Sequence, residues 1–294
     1  MKRFIFITIL LISLYDVSAQ IKIESVGAPS PIKLPHKEVF DSAKITVFYD
    51  YGSKDSFLRN IPVKRYGEVL LLIGDRYMGT MDKASFLIDS VTADYYWNKT
   101  GNFDDLMNLI VNDERYRPSY NYPVVVDLDK QEAILQNSMF FGLHYKYKQQ
   151  LPRIDWKLEN EEKKIKGIRC LKATCRFGGR DWTAWYAPEY AMPYGPYLFN
   201  GLPGLIMQVV DKKKNFAFKF KGIEKNSSGR YIYMNKIENE IETTREKARE
   251  GIKNACKDPT AAMRAEGLIS QDEKSIVEVY TQGHGVPYNP IELE

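Results

Sequence analysis

The 294-residue sequence predicts a mainly β (α+β) protein, an antiparallel meander with few helices. Short segments alternate between apolar and polar residues, which is typical of strands that bury one face. Residues that favour turns separate these segments at intervals of roughly ten residues. The 20 Tyr, 14 Phe and 4 Trp suit the half-buried faces of such strands.

The first nineteen residues have the features of a cleaved signal peptide. Lys2 and Arg3 precede the apolar run 4–14, and small residues at 17–19 precede Gln20. The run is shorter than the about 20 residues that span a bilayer. We therefore expect an exported, periplasmic or cell-envelope-associated protein that does not span the membrane after cleavage. An uncleaved membrane anchor is the alternative.

The charge of the chain argues against nucleic acid as a partner. The formal net charge is +4, and it falls by one when Lys2, Arg3 and Asp16 leave with the signal peptide. Basic and acidic residues are interspersed, whereas a nucleic-acid-binding surface concentrates positive charge.

The first half of the mature chain contains alternating segments separated by turn residues. Gly74-Asp75 and Asp129-Lys130 are predicted turns. The predicted strands here lie within Ile45 to Tyr51, Glu68 to Ile73, Arg76 to Met78, Tyr122 to Leu128, Ala133 to Leu135 and Phe141 to Tyr147.

The second half continues the meander. Gly178-Gly179, Lys212 to Lys214 and Asn226 to Gly229 are predicted turns, and the run Glu159 to Lys166 is expected to be a solvated, charged turn. The predicted strands are Ile154 to Leu158, Leu171 to Phe177, Trp182 to Tyr186, Leu205 to Val210, Phe216 to Phe220 and Tyr231 to Tyr233.

Helices are few. Asn102 is placed to cap a helix over 103–111, with Asp104 and Asp105 at the positive end of its dipole. A second helix is predicted before the Asp258-Pro259 stop. Its apolar stripe contains Ile241, Ala248, Ile252 and Cys256. The segments 261–265 and 272–280 are either short helices or extended pieces.

No linker rich in Pro, Ser or Gly divides the chain. After the signal peptide (1–19) we therefore expect one antiparallel β domain over 20–237. A helical C-terminal extension over 238–294 packs on the same domain in this interpretation.

Three cysteines, Cys170, Cys175 and Cys256, leave at least one thiol unpaired. The odd spacing of Cys170 and Cys175 puts them on opposite faces of a strand, so they do not bridge each other. A bridge from one of them to Cys256 and three unpaired thiols are both open.

The segment 195–206 is the most informative part of the chain because it combines glycines, prolines and apolar residues in one packed turn. Its motif residues are Gly195, Pro196, Gly201, Leu202, Pro203, Gly204, Leu205 and Ile206. The segment is interpreted either as a rigid crossover between two strands or as a docking surface built on that crossover. The aromatic residues assigned to the docking surface are Trp182, Trp185, Tyr186, Tyr194, Tyr197 and Phe199. Since Trp182 and Trp185 are three apart, they face opposite sides of a strand, and one of them is expected to pack inward.

Catalytic motifs are missing from the sequence. It contains no Gly-x-Ser-x-Gly elbow, no His-Glu-x-x-His and no Walker glycine loop. The three histidines, His36, His144 and His284, are scattered. We therefore predict no catalytic residue, no metal site and no cofactor.

Four segments, residues 164–173, 177–186, 195–206 and 287–293, resemble the GLPGLI family of exported Bacteroidetes proteins. The hexapeptide Gly201 to Ile206 carries the family's name. The resemblance implies no catalytic residues. The order of strands and Gly-Pro turn also resembles periplasmic lipoprotein-carrier and sigma-regulator proteins. That likeness implies a strongly curved antiparallel sheet, a half-barrel partly closed by helices, with an apolar concave face.

Two functional hypotheses follow. The first is a non-enzymatic exported binding or accessory protein of the cell envelope. It either holds an apolar ligand such as a lipid, or docks on a periplasmic complex, an outer-membrane transporter or an assembly complex. The second is an envelope enzyme or a metal- or thiol-handling protein that uses Cys170, Cys256 and a histidine.

Overall fold

A computed structural model describes residues 31–58, 61–98, 101–138, 143–225, 229–265, 267, 270 and 285–294. The described residues do not include the signal peptide, Phe141, residues 226–228 of the predicted turn Asn226 to Gly229, the segment 272–280 or His284, so the expectations for them stay predictions. The chain divides into two compact units, residues 1–34 with 84–117 and residues 35–83 with 118–294. Residue 238, where the sequence places the start of a C-terminal extension, lies within the second unit.

The first unit contains most of helix α1 (Lys83–Asn98) and all of helix α2 (Phe103–Asn112). The predicted cap of α2 is confirmed, because the Asn102 side chain accepts a 3.0 Å hydrogen bond from the Asp105 amide. The Asp105 carboxylate in turn accepts one of 2.9 Å from the Asn102 amide, which completes a capping box. Helix α1 was not predicted, because its apolar residues are not confined to one face. None of the helices in the described part of the chain is long and apolar enough to cross a membrane.

The second unit is built from strands. Their bounds are β1 (Lys37–Ser42), β2 (Ile45–Leu58), β3 (Ile61–Ile73), β4 (Tyr77–Asp82), β5 (Val124–Asp127), β6 (Glu132–Ser138), β7 (His144–Gln150), β8 (Lys157–Ile165), β9 (Ile168–Phe177), β10 (Arg180–Ala187), β11 (Leu205–Asp211), β12 (Phe216–Lys225), β13 (Tyr231–Asn235) and β14 (Ile241–Glu242). Helices α3 (Arg245–Lys257) and α4 (Pro259–Ala265) follow.

Twelve of these strands form one sheet, which consists of two meanders. Strands β2 to β7 are neighbours in chain order, as are β8 to β12, and an antiparallel pair between β12 and β2 joins the two runs. Only β14 pairs in parallel, on β7, among the described pairs. The prediction of a mainly β protein built on a large antiparallel sheet with few helices is confirmed. In the described residues the sheet is open, with β14 and β8 as its edges.

A second, two-stranded sheet of β1 and β13 packs against β3 and β4. Ile232 on β13 lies so close to Gly79 on β4 that an added Cβ there would meet the Ile232 Cγ2 at 2.9 Å. This layer explains why β3 buries residues on both of its faces over 69–73.

The structure corrects three sequence predictions about secondary structure. The predicted strand Ile154 to Leu158 is wrong over 154–156, which form a loop, because strand β8 begins only at Lys157. The run Glu159 to Lys166 is not a turn, because residues through Ile165 belong to strand β8 and the turn is Lys166-Gly167, both with positive φ. Charged residues suit β8 because it is an edge strand, where charge opposes pairing with other chains. Helix α3 begins at Arg245 and not near Ile241, because Thr244 caps it and Ile241 pairs with Tyr145 in the sheet.

Candidate functional site

The crossover (residues 195–206) between β10 and β11 is tightly packed. Gly204 has a φ of 150°, and a Cβ at this position would lie 2.3 Å from the Ala187 carbonyl oxygen. The Ile206 amide donates to the Tyr194 carbonyl at 2.9 Å, and the Gly201 amide donates to the Pro193 carbonyl at 3.0 Å. This geometry is that of a rigid turn, as the first interpretation expects.

The predicted aromatic docking surface needs correction, because four of its six residues lie in the core. Trp182, Tyr186, Tyr197 and Phe199 are at most 3% exposed, so they offer no surface to a partner. The Phe199 ring stacks edge-on against Trp182 at a centroid distance of 4.7 Å. Burial of such large rings is a main source of core stability. The two remaining residues, Trp185 and Tyr194, are half-buried.

A pocket of about 90 Å³ lies beside the C-terminal strap, which we define as residues 285–294. Strap residues 286–292 form one part of its wall. The rest of the wall comes from Arg65, Asn121, Tyr122, Asn137, Ser138, Tyr147, Tyr197, Arg249, Ile252 and Cys256. Tyr197 is thus the one residue of the predicted docking surface that also lines this strap pocket.

Arg180 on β10 holds the strap in place. Its Nε donates to the Ile291 carbonyl at 3.0 Å, and its Nη2 donates to the Asn289 side chain at 2.7 Å and to the Pro290 carbonyl at 2.5 Å. Arg180 is itself buried and lies 3.6 Å from the carboxylate of Asp211. One arginine therefore fixes three consecutive strap residues through charge-assisted hydrogen bonds.

Glu292 ties the strap to the crossover and to helix α3. Its Oε1 accepts a 2.5 Å hydrogen bond from the Tyr197 hydroxyl, and its Oε2 lies 2.6 Å from Nη2 of Arg245. Tyr197 has a φ of 59°, a left-handed conformation that is rare for an aromatic residue. Burial, together with the negative charge of Glu292, raises the pKa of Tyr197 well above its usual value. Its hydroxyl therefore stays protonated and acts as a donor.

No hydrogen bond joins a thiol to a histidine in the described part of the chain. Burial raises the pKa of all three thiols and is the largest cause in each case. The pKa of Cys256 rises to about 11 and that of Cys175 to about 12, and the pKa of Cys170 is also raised. All three cysteines are unbridged, and only Cys256 lines the strap pocket. A protonated thiol is a poor nucleophile and a poor metal ligand. Within the described residues no three His, Cys, Asp or Glu side chains cluster as metal ligands.

His144 does contact one hydroxyl of the strap pocket. Its Nδ1 lies 2.9 Å from Oγ of Ser138, the residue opposite it in the β6–β7 pair. Burial lowers the pKa of His144, so the ring is neutral near pH 7. In the described part of the chain no carboxylate contacts this ring, so a base-orienting third group is not in place. The pair is an ordinary cross-strand contact.

Sequence reasoning missed an exposed aromatic pair at the end of α1. Trp97 is 70% exposed and Tyr96 is 41% exposed, and their rings meet edge-on at a centroid distance of 5.0 Å. The run Tyr95-Tyr96-Trp97 is visible in the sequence. Because helix α1 was not predicted, the sequence did not indicate which of these side chains would be exposed. Arg65, Arg249 and Glu292 were also missed as pocket residues, because they come from distant parts of the chain.

No protein-family model matches the sequence, and no curated protein matches it. Among solved structures the chain is similar to PNGF-II in two crystal forms, with 12% sequence identity and a TM-score of 0.41 in each case. The similarity covers 71% and 72% of this chain but 33% of those chains, so this chain spans about a third of their length. A TM-score of this size does not establish a common fold, so the proposals below rest on this chain alone.

Proposed function

We propose that this chain is a GLPGLI-family protein that is exported to the cell envelope and works as a non-enzymatic accessory protein. In this proposal it docks on a periplasmic or outer-membrane protein complex, such as a transporter or an assembly complex. The exposed pair Tyr96 and Trp97 is the observation that carries the docking role.

An exposed tryptophan of this kind is well suited to bind a protein partner. Burying a Trp side chain removes a large apolar area from water, and Trp and Tyr are enriched among the residues that dominate binding energy at interfaces. Trp97 keeps 70% of its surface exposed, although it belongs to a helix that has buried residues elsewhere. Docking at this position would bury the indole without any rearrangement of the core.

The alternative of an apolar ligand such as a lipid is less well supported. Pockets for drug-sized ligands measure about 300–1,000 Å³, whereas the strap pocket has about 90 Å³. A second pocket, of about 550 Å³, is lined mostly by polar and charged side chains such as Asp155 and Arg176, which do not suit an apolar ligand. The interior that a carrier would leave open is filled here by side chains. Phe199, Phe216 and Phe218 are each 0% exposed. We therefore favour protein docking over lipid transport.

Site-specific photo-crosslinking tests the proposal. A benzophenone amino acid replaces Trp97 in one variant and Tyr231 in a control, since Tyr231 is also an exposed aromatic residue, at 54%. After irradiation in the native cell envelope, we expect an adduct of one defined protein mass from position 97 and none from position 231.

Two results would contradict the proposal. Equal protein adducts at both positions would mean that crosslinking reports exposure alone. A lipid adduct at position 97 would replace the protein partner with the membrane surface.

A further inference from the structure

The strap pocket contains two arginines that form no ion pair in the described part of the chain. Arg65 lies on β3 and Arg249 on α3, and both line the pocket. We propose that this pocket binds a small oxyanion, a carboxylate or a phosphate, between these two guanidinium groups. The proposal does not depend on the docking role of Trp97.

The charge balance of the pocket favours an anion. Glu292 is the one carboxylate among the lining residues, and both of its oxygens are already engaged, by Tyr197 and by Arg245. The charge of Glu292 is thus compensated by Arg245, and among the described residues neither Arg65 nor Arg249 forms an ion pair with a carboxylate.

Arg249 in particular has hydrogen-bonding capacity to spare. Its Nε is buried and has no hydrogen-bond partner within the described residues. Glu246, one turn earlier on the same helix, is exposed; its pKa is lowered first by its own backbone amide, and Arg249 contributes less. Arg65 uses Nη2 for the Pro118 carbonyl at 3.0 Å, which orients the guanidinium. A planar guanidinium with free donors is the side chain that best matches an oxyanion.

Neutral groups on the wall complete the donor set. The Asn137 amide donates to the Tyr147 hydroxyl at 3.5 Å. Burial raises the pKa of Tyr147, so its hydroxyl also keeps its proton. The cavity of about 90 Å³ has room for a phosphate or a carboxylate group.

The test is calorimetric titration of the full mature chain with inorganic phosphate and, separately, with acetate, at constant ionic strength. Arg249→Gln should weaken binding of the preferred anion about tenfold, the effect of losing one charged hydrogen bond. Lys253→Gln is the matched control, because it removes the same charge from an exposed position on the same helix. It should bind like the unchanged protein. Binding of phosphate alone would identify a phosphate site, and binding of acetate alone a carboxylate site.

A second variant and a second measurement distinguish the loss of anion binding from misfolding of a variant. Arg65→Gln should weaken binding in the same way, and circular dichroism checks that both variants fold. Bound anion should also slow hydrogen exchange at the Val286 amide, which donates to the Cys256 carbonyl at 2.7 Å beside the pocket. Failure of both anions to bind the unchanged protein would overturn the proposal, as would equal weakening by Arg249→Gln and Lys253→Gln.

Discussion

The Tyr197 hydroxyl donates a 2.5 Å hydrogen bond to Glu292, a residue 95 positions later in the chain. This bond joins the crossover to the C-terminal strap, and Arg245 adds α3 through the second carboxylate oxygen at 2.6 Å. Three segments thus meet at one buried carboxylate. We therefore expect the strap to contribute to the stability of the second unit.

The first prediction concerns this bond. Tyr197→Phe should lower the free energy of unfolding by about 1.5–3 kcal/mol, because the carboxylate loses a donor. Glu292→Gln should lower it by about 3–5 kcal/mol, because Arg245 then lacks its counter-charge. Urea unfolding of the single and double variants measures their coupling. Glu294→Gln, an exposed charge change on the same strap, should have little effect. Strictly additive effects of the two substitutions would contradict a direct bond.

The second prediction concerns the crossover. Gly204→Ala should destabilise by roughly 2–5 kcal/mol, because the new Cβ meets backbone atoms that cannot move aside and the positive φ is strained. Gly201→Ala is the matched control, with a φ of 86° but no atom within 4 Å of its Cβ, and should cost about 1–2 kcal/mol. Thermal unfolding compares the two. A melting temperature of Gly204→Ala at or above that of Gly201→Ala would show that the crossover adapts.

The third prediction is a pH dependence. The Arg76 guanidinium, 2.8 Å from Asp127, is the main reason that the pKa of Asp127 is lowered to about 2. The ion pair of Arg76 with Asp127 therefore stabilises the folded protein above pH 3.8, the ordinary pKa of the carboxyl group. This stabilisation is lost as the pH falls toward 2 and Asp127 becomes protonated. Arg76→Gln should be less stable than the unchanged protein between pH 5 and 7, and the difference should vanish near pH 2.

Chemical unfolding at a series of pH values measures this difference. Lys44→Gln is the control, because its ion pair with Asp75 has both side chains exposed and such pairs contribute little. A stability difference for Arg76→Gln that is the same at pH 2 and pH 7 would assign the effect to packing.

The fourth prediction concerns thiol reactivity. Since the pKa of Cys256 is raised to about 11, only about one thiol in a thousand is ionised at pH 8. In a variant that keeps Cys256 alone, labelling by a maleimide should be slow in the native state and fast in denaturant. Mass spectrometry follows the reaction. Rapid native labelling at pH 7 would contradict this prediction and would favour the thiol-based hypothesis.

The strands were predictable because the signal is local. Alternation over 171–177 and 182–186, with Gly178-Gly179 between, specifies a hairpin without reference to any other part of the chain. The same logic failed for β8, because an edge strand with two solvated sides carries charge where an interior strand carries apolar residues. It failed for α1 because that helix lacks a single apolar face.

The strap pocket could not be predicted in the same way. Tyr197 was singled out, but as part of a surface, because the sequence does not say which aromatic residues a core will enclose. Arg65, Arg249 and Glu292 each read alone as solvated charges. Only the meeting of β3, α3 and the strap gives them a common environment.

Local patterns in the sequence were sufficient to predict the strand-rich class, most turns and the cap at Asn102, since each depends on neighbours within a few residues. The tertiary structure alone decided that Trp182 and Phe199 are core residues, that Trp97 is exposed, and that Glu292 reaches Tyr197. The physical reason is that burial and charge pairing are properties of distant segments brought together. The secondary-structure preference of a segment depends on residues close to it in the sequence. The electrostatic energy of a buried charge depends on every group around it, including groups from distant parts of the chain.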